Sequence, residues 1–108
     1  ALRLKASSLS ITATQHGLYA GSGAVINIAE TTQLTLSVGG NSLYAALGGQ
    51  IWSDGTTITN NSTSKIALAQ DKGLIRAKLN SLSGWTSVIP AVGTGLGNHG
   101  SEIYYSGT

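Results

Sequence analysis

Apolar and polar residues alternate with period two along most of the chain. Leu9, Ile11 and Ala13 alternate with Ser10, Thr12 and Thr14. Ala24, Ile26 and Ile28 form a second such set, and Leu34, Leu36 and Val38 a third, with Thr35 and Ser37 between them. Period two is the signature of a strand with one buried face. Leu2-Arg3-Leu4-Lys5 also alternates, and its phase slips at Ser7-Ser8. Residues 1–7 are therefore expected to be an N-terminal arm, either exchanged with a neighbour's sheet edge or flexible, at the front of one domain spanning 1–108.

Turn signals break the pattern at His16-Gly17, Gly21-Ser22-Gly23, Gly39-Gly40 and Gly48-Gly49. The strongest is Asp54-Gly55. Two residues that tolerate positive φ between Gln50–Ser53 and Thr56–Thr59 predict a two-residue β-hairpin, with Ile51 opposite Ile58. Residues 65–83 read two ways. As strands, Ile66 and Leu68 make one and Ile75, Ala77 and Leu79 the other. As a helix, Asp71 caps the N-terminus, Ile75, Leu79 and Leu82 form a stripe, and Gly84 stops it. The content of Lys, Arg, Ala and Leu favours a short helix over 72–83. No internal repeat stands out. The expected fold is mainly β: a small antiparallel β-sandwich or barrel of six to eight short strands. Its core holds Leu9, Ile11, Ile26, Ile28, Leu34, Leu36, Val38, Ile51 and Ile58, with Thr35, Ser37 and Thr57 outside.

Composition narrows the role. The 108 residues are 41% hydrophobic and only 9% charged, against about 25% charged in ordinary globular domains. Ser, Thr, Asn and Gly must supply the polar surface, and their short side chains lose little entropy on packing against a neighbour. The net charge of +2 comes from six scattered Lys and Arg and four acids. That is too sparse for a nucleic-acid footprint, so nucleic acid is not an expected partner. There is no Cys, hence no disulfide and no thiolate metal site. No apolar run is long enough to span a membrane as a helix, and none reads as a secretory signal. The chain opens on Ala1 and lacks Met, as expected of either a trimmed chain or a processed fragment.

Motifs for chemistry fail on context. Gly95-Leu96-Gly97-Asn98-His99-Gly100 matches G-x-G-x-x-G, but only eight residues follow, with no room for the second strand of a dinucleotide site. His16 and His99, with Glu30, Asp54, Asp71 and Glu102, show no metal or acid–base spacing. No catalytic residue, cofactor or metal is expected, and the chain does not read as an enzyme. Asn60-Asn61-Ser62 and Asn61-Ser62-Thr63 are overlapping glycosylation sequons, expected by chance in so Asn/Ser/Thr-rich a chain. The rings carry the remaining signal. Trp52 shares its hairpin face with Gln50, Thr57 and Thr59. That face either stacks on a sugar or a subunit, or lies under a second layer. Candidate interface or ligand contacts are Arg3, Lys5, Trp52, Trp85 and Tyr105.

In composition the chain resembles bacteriophage virion proteins and subunits of extracellular fibres. The resemblance implies a non-enzymatic structural subunit of a virus or phage particle (coat, head-decoration or fibre module). Such a subunit self-associates as a homo-oligomer or binds other virion proteins, in a virion or extracellular assembly. The alternative is a carbohydrate-binding module or receptor-binding fibre tip that holds a glycan with exposed Trp or Tyr.

Overall fold

The computed structural model describes residues 2–53, 55–77, 85–89 and 100–105. They form twelve strands: β1 Leu2–Arg3, β2 Ser8–Ala13, β3 Leu18–Ala20, β4 Val25–Asn27, β5 Gln33–Val38, β6 Leu43–Ala46, β7 Gln50–Ser53, β8 Thr57–Asn60, β9 Ile66–Gln70, β10 Leu74–Ala77, β11 Ser87–Ile89 and β12 Glu102–Tyr105. The strands do not pair with their sequence neighbours. They lie in three parallel sheets: sheet 1 in the order β1-β4-β7-β10-β12, sheet 2 in the order β2-β5-β8, and sheet 3 in the order β11-β9-β6-β3. The chain is thus a β-solenoid of about three turns, and each of the first three coils lays one strand on each sheet. It is not the antiparallel sandwich or barrel expected from the alternation.

The register shows why the coils stack. Leu2, Ile26, Ile51, Ile75 and Ile103 stand one above another on sheet 1. Leu9, Leu34 and Ile58 do the same on sheet 2, and Leu18, Leu43 and Ala67 on sheet 3. Each column packs like on like down the axis, at the roughly 4.8 Å spacing of paired strands. The inward faces of all three sheets close on one core. Ile26, Ile28, Leu34, Leu36, Val38 and Ile51 are buried in it. Leu9, Ile11 and Ile58 pack against it half-buried, and Thr35, Ser37 and Thr57 lie on the outer surface of sheet 2, half-buried.

The corners between sheets repeat in conformation. Between sheets 3 and 1, Ser22-Gly23, Leu47-Gly48 and Asp71-Lys72 each place two residues at positive φ, 51° and 77°, 52° and 77°, and 49° and 67°. Each turn closes with the same bond: Ala24 N to Gly21 O, Gly49 N to Ala46 O, and Gly73 N to Gln70 O, at 2.9–3.0 Å. Successive turns are joined by Gly23 N donating to Leu47 O and Gly48 N to Asp71 O, both 3.0 Å. Gly49 and Gly73 immediately precede β7 and β10, where a Cβ would strike the carbonyls of Ala20 and Ala45 in the preceding coil. Between sheets 1 and 2, Thr31 and Thr56 are fully buried, and their hydroxyls donate to Leu4 O and Ile28 O one coil earlier. The buried polar side chains of the described residues all have partners, as a closed interior demands.

Three expectations are corrected here. Asp54-Gly55 does not close a hairpin. Ile51 pairs with Ile26 and Ile75, while Ile58 pairs with Leu34 in another sheet. Gly55 sits at a solenoid corner beside the Ala29 carbonyl, which leaves no room for a side chain. The start of the proposed helix, 72–77, is a turn and strand β10; Ile75 is committed to the isoleucine column, and Asp71 takes a left-handed turn conformation rather than an N-cap. The remainder, 78–83, lies outside the described residues. An internal repeat does exist. The sheet 1 column recurs after 24, 25, 24 and 28 residues.

Candidate binding surfaces

The three outer faces differ in chemistry. Sheet 2 shows rows of Ser8, Gln33 and Thr57, then Ser10, Thr35 and Thr59, then Thr12 and Ser37. It is an uncharged hydroxyl face. Sheet 3 shows Tyr19, Tyr44, Leu68 and Ile89 in one column. Tyr19 is 50% and Ile89 42% exposed. The Tyr19 and Tyr44 ring centroids lie 5.0 Å apart, and the His16 ring packs edge-on to Tyr44 at 5.1 Å. His16 is fixed by Asn41 N donating to its Nδ1 at 3.1 Å, and Gln70 Nε2 donates to the Tyr44 hydroxyl.

Sheet 1 carries Arg3, Asn27, Trp52, Arg76 and Tyr104 in one register column. Trp52 is half-buried on this outer face. Its Nε1 donates to Gln50 Oε1 at 2.9 Å, and the Arg76 guanidinium stands 5.7 Å from its ring centroid. Alternation therefore puts Trp52 opposite Ile51, which is fully buried. Its polar neighbours are Gln50 and Arg76, whereas Thr57 and Thr59 belong to sheet 2.

The other predicted contacts scatter. Arg3 and Lys5 are exposed on the first coil and share Glu30: Arg3 pairs with it directly, and Lys5 Nζ stands 3.7 Å away. Trp85 is buried in the core cluster just before β11. Tyr105 is opposite Ala77 in the β10–β12 register, and its side chain lies outside the described part. So do residues 95–99 of the glycine motif; Gly100 is a turn residue with φ of 81°. Asn60 of the first sequon is engaged, its Oδ1 accepting from Ser62 N at 3.1 Å and Ser42 Oγ at 3.3 Å, while Asn61 is exposed. Among the described residues no three His, Cys, Asp or Glu gather where a metal ion could bind, and no helix is long and apolar enough to cross a membrane.

The first coil presents a further surface. The first coil contributes inward residues of core type, Leu2, Leu4, Leu9 and Ile11, yet none is buried and Leu2 is 51% exposed. β1, β2 and β3 each pair on one side only. β2, Ser-Leu-Ser-Ile-Thr-Ala, carries no charge and no proline. A second unusual point is Leu47, 58% exposed in a left-handed turn that suits Gly or Asn; with Gly48, Asp71 and Lys72 it lines an open depression of about 500 Å³. Comparison of the chain with protein-family models, with curated proteins and with solved structures finds no match.

Proposed function

We propose that this chain is a non-enzymatic structural subunit: a short β-solenoid that self-associates, in a virus particle or another extracellular assembly. The observation that carries this reading is the uncharged outer face of sheet 2, with rows such as Ser10, Thr35 and Thr59. Such short side chains lose little rotamer freedom when a second copy packs on them. Low charge supports the reading, because little repulsion or desolvation opposes contact. The composition supports the virion or extracellular setting. The test is sedimentation equilibrium from about 1 to 300 μM, a range suited to micromolar association. Concentration-dependent association is expected, with loss of it in Thr35→Arg on the outer face of sheet 2 while the circular dichroism of the strands persists. A monomer throughout refutes the proposal.

A second reading rests on sheet 3. The adjacent Tyr19 and Tyr44 rings, edged by His16 and Gln70, offer apolar faces and neutral hydrogen-bonding groups, the chemistry that holds a sugar. This site for the glycan alternative replaces Trp52 and Trp85 with tyrosines. Binding to a glycan array that disappears in Tyr19→Ala supports it, and an array blank for the native chain removes it.

A further inference from the structure

We infer that the outer face of sheet 3 takes an extended chain of neutral, equatorially linked sugars, laid along the solenoid axis. The inference rests on the glycan reading of sheet 3 and specifies the class of ligand. The register supplies the direction. Tyr19, Tyr44, Leu68 and Ile89 stand at one level on the consecutive strands β3, β6, β9 and β11. Paired strands lie roughly 4.8 Å apart, so these side chains form a straight apolar strip on the order of 14 Å long. One step of the strip is close to the advance per sugar of a fully extended chain. A single sugar covers at most the two tyrosines and leaves Leu68 and Ile89 in water.

Two observations fix how a ligand meets the strip. The first is ring packing. The centroids of His16, Tyr19 and Tyr44 lie between 5.0 and 6.0 Å apart. At that separation the rings touch one another and leave no slot between them, so this is not a cage for an ammonium group and the ligand lies on top. The second is Gly21. A Cβ there would strike the Tyr19 hydroxyl, so the Tyr19 ring lies down along the sheet over the glycine. In that pose Tyr19 is 50% exposed and turns a ring face outward.

Sugars with equatorial hydroxyls present flat C–H faces, which pack on aromatic rings and on aliphatic side chains alike. Their hydroxyls project sideways, and the strip has polar groups at both edges. At one edge Asn41 N donates to His16 Nδ1, which places the hydrogen of the neutral ring on Nε2 and makes that atom a donor. At the other, Gln70 Nε2 donates to the Tyr44 hydroxyl, whose own hydrogen is left to donate outward. None of β3, β6, β9 and β11 carries a charged residue. These strands offer nothing to pair with a uronic acid or a sulfated sugar.

The test uses the full chain and three probes: the disaccharide and the hexasaccharide of β-1,4-linked glucose, and the hexasaccharide of α-1,4-linked glucose, which curls. Titration calorimetry reads the affinities. The β-linked hexasaccharide is expected to bind about tenfold more tightly than the disaccharide, through the further apolar area covered at Leu68 and Ile89. It is also expected to bind more tightly than its α-linked isomer. Tyr19→Ala abolishes this binding, and Gly21→Ala weakens it severalfold by lifting the Tyr19 ring, with the circular dichroism of the strands unchanged in both. Equal affinity for disaccharide and hexasaccharide, or for the two hexasaccharides, overturns the axial chain and leaves the glycan site standing. A hexasaccharide that fails to bind while the glycan array is positive does the same. Hexasaccharide binding that survives Tyr19→Ala overturns the site itself. A chain that binds neither the oligomers nor the array overturns both the inference and the glycan reading.

Discussion

Leu47 shows how much the solenoid asks of individual positions. A non-glycine residue with φ of 52° costs about 1–2 kcal/mol, and here the residue is also apolar and exposed. Leu47→Gly is therefore expected to stabilise the chain by about 1 kcal/mol in chemical denaturation, since the turn itself already exists. Gly73 is the opposite case. Its column faces the Ala45 carbonyl of the coil before, so Gly73→Ala must push two coils apart and is expected to cost about 1–3 kcal/mol. Gly55→Val is expected to cost a similar amount, through collision with the Ala29 carbonyl; an unchanged melting temperature would show that the corner opens freely. Nothing in the sequence separates these two uses of glycine. Asp54-Gly55 looks like a positive-φ pair, while the pairs that do reach positive φ include Leu47-Gly48 and Asp71-Lys72.

At the level of strands, alternation located the elements and their faces. Leu34, Leu36 and Val38 are buried, and Thr35 and Ser37 lie on the outer face. Leu36→Ala is expected to cost about 2–5 kcal/mol, because the side chain is fully buried between Ile11 and the core. Thr56→Val tests the corner ladder: it keeps shape, removes the bond to Ile28 O and is expected to cost about 1–2 kcal/mol in the same titration. Pairing was not legible, for a physical reason. Period two states which face is buried and says nothing of which strand lies alongside. Parallel partners here sit about 25 residues apart, and the corners that join them conserve conformation rather than residue type, as Ser22-Gly23 and Asp71-Lys72 show. The columns Leu2, Ile26, Ile51, Ile75 and Leu9, Leu34, Ile58, each recurring after 24 or 25 residues, are regular signals of the repeat.

Across the whole molecule, stability depends on neighbours. Each coil is covered by the next, so a change in one coil is felt by its neighbours. Arg3 and Lys5 drew attention to the first coil through their charge, but the informative residues there are Leu2, Leu9 and Ile11, ordinary core residues in an open place. Only a three-dimensional arrangement shows how far such residues are exposed. The hydroxyl, tyrosine and tryptophan faces all follow from parallel coiling. Cross-strand backbone nuclear Overhauser effects in the isotope-labelled chain test it most directly. The parallel register predicts contacts from the Trp52 backbone to Asn27 on one side and Arg76 on the other. A strong contact between the α-protons of Trp52 and Thr57, the mark of an antiparallel hairpin at Asp54-Gly55, would contradict the solenoid.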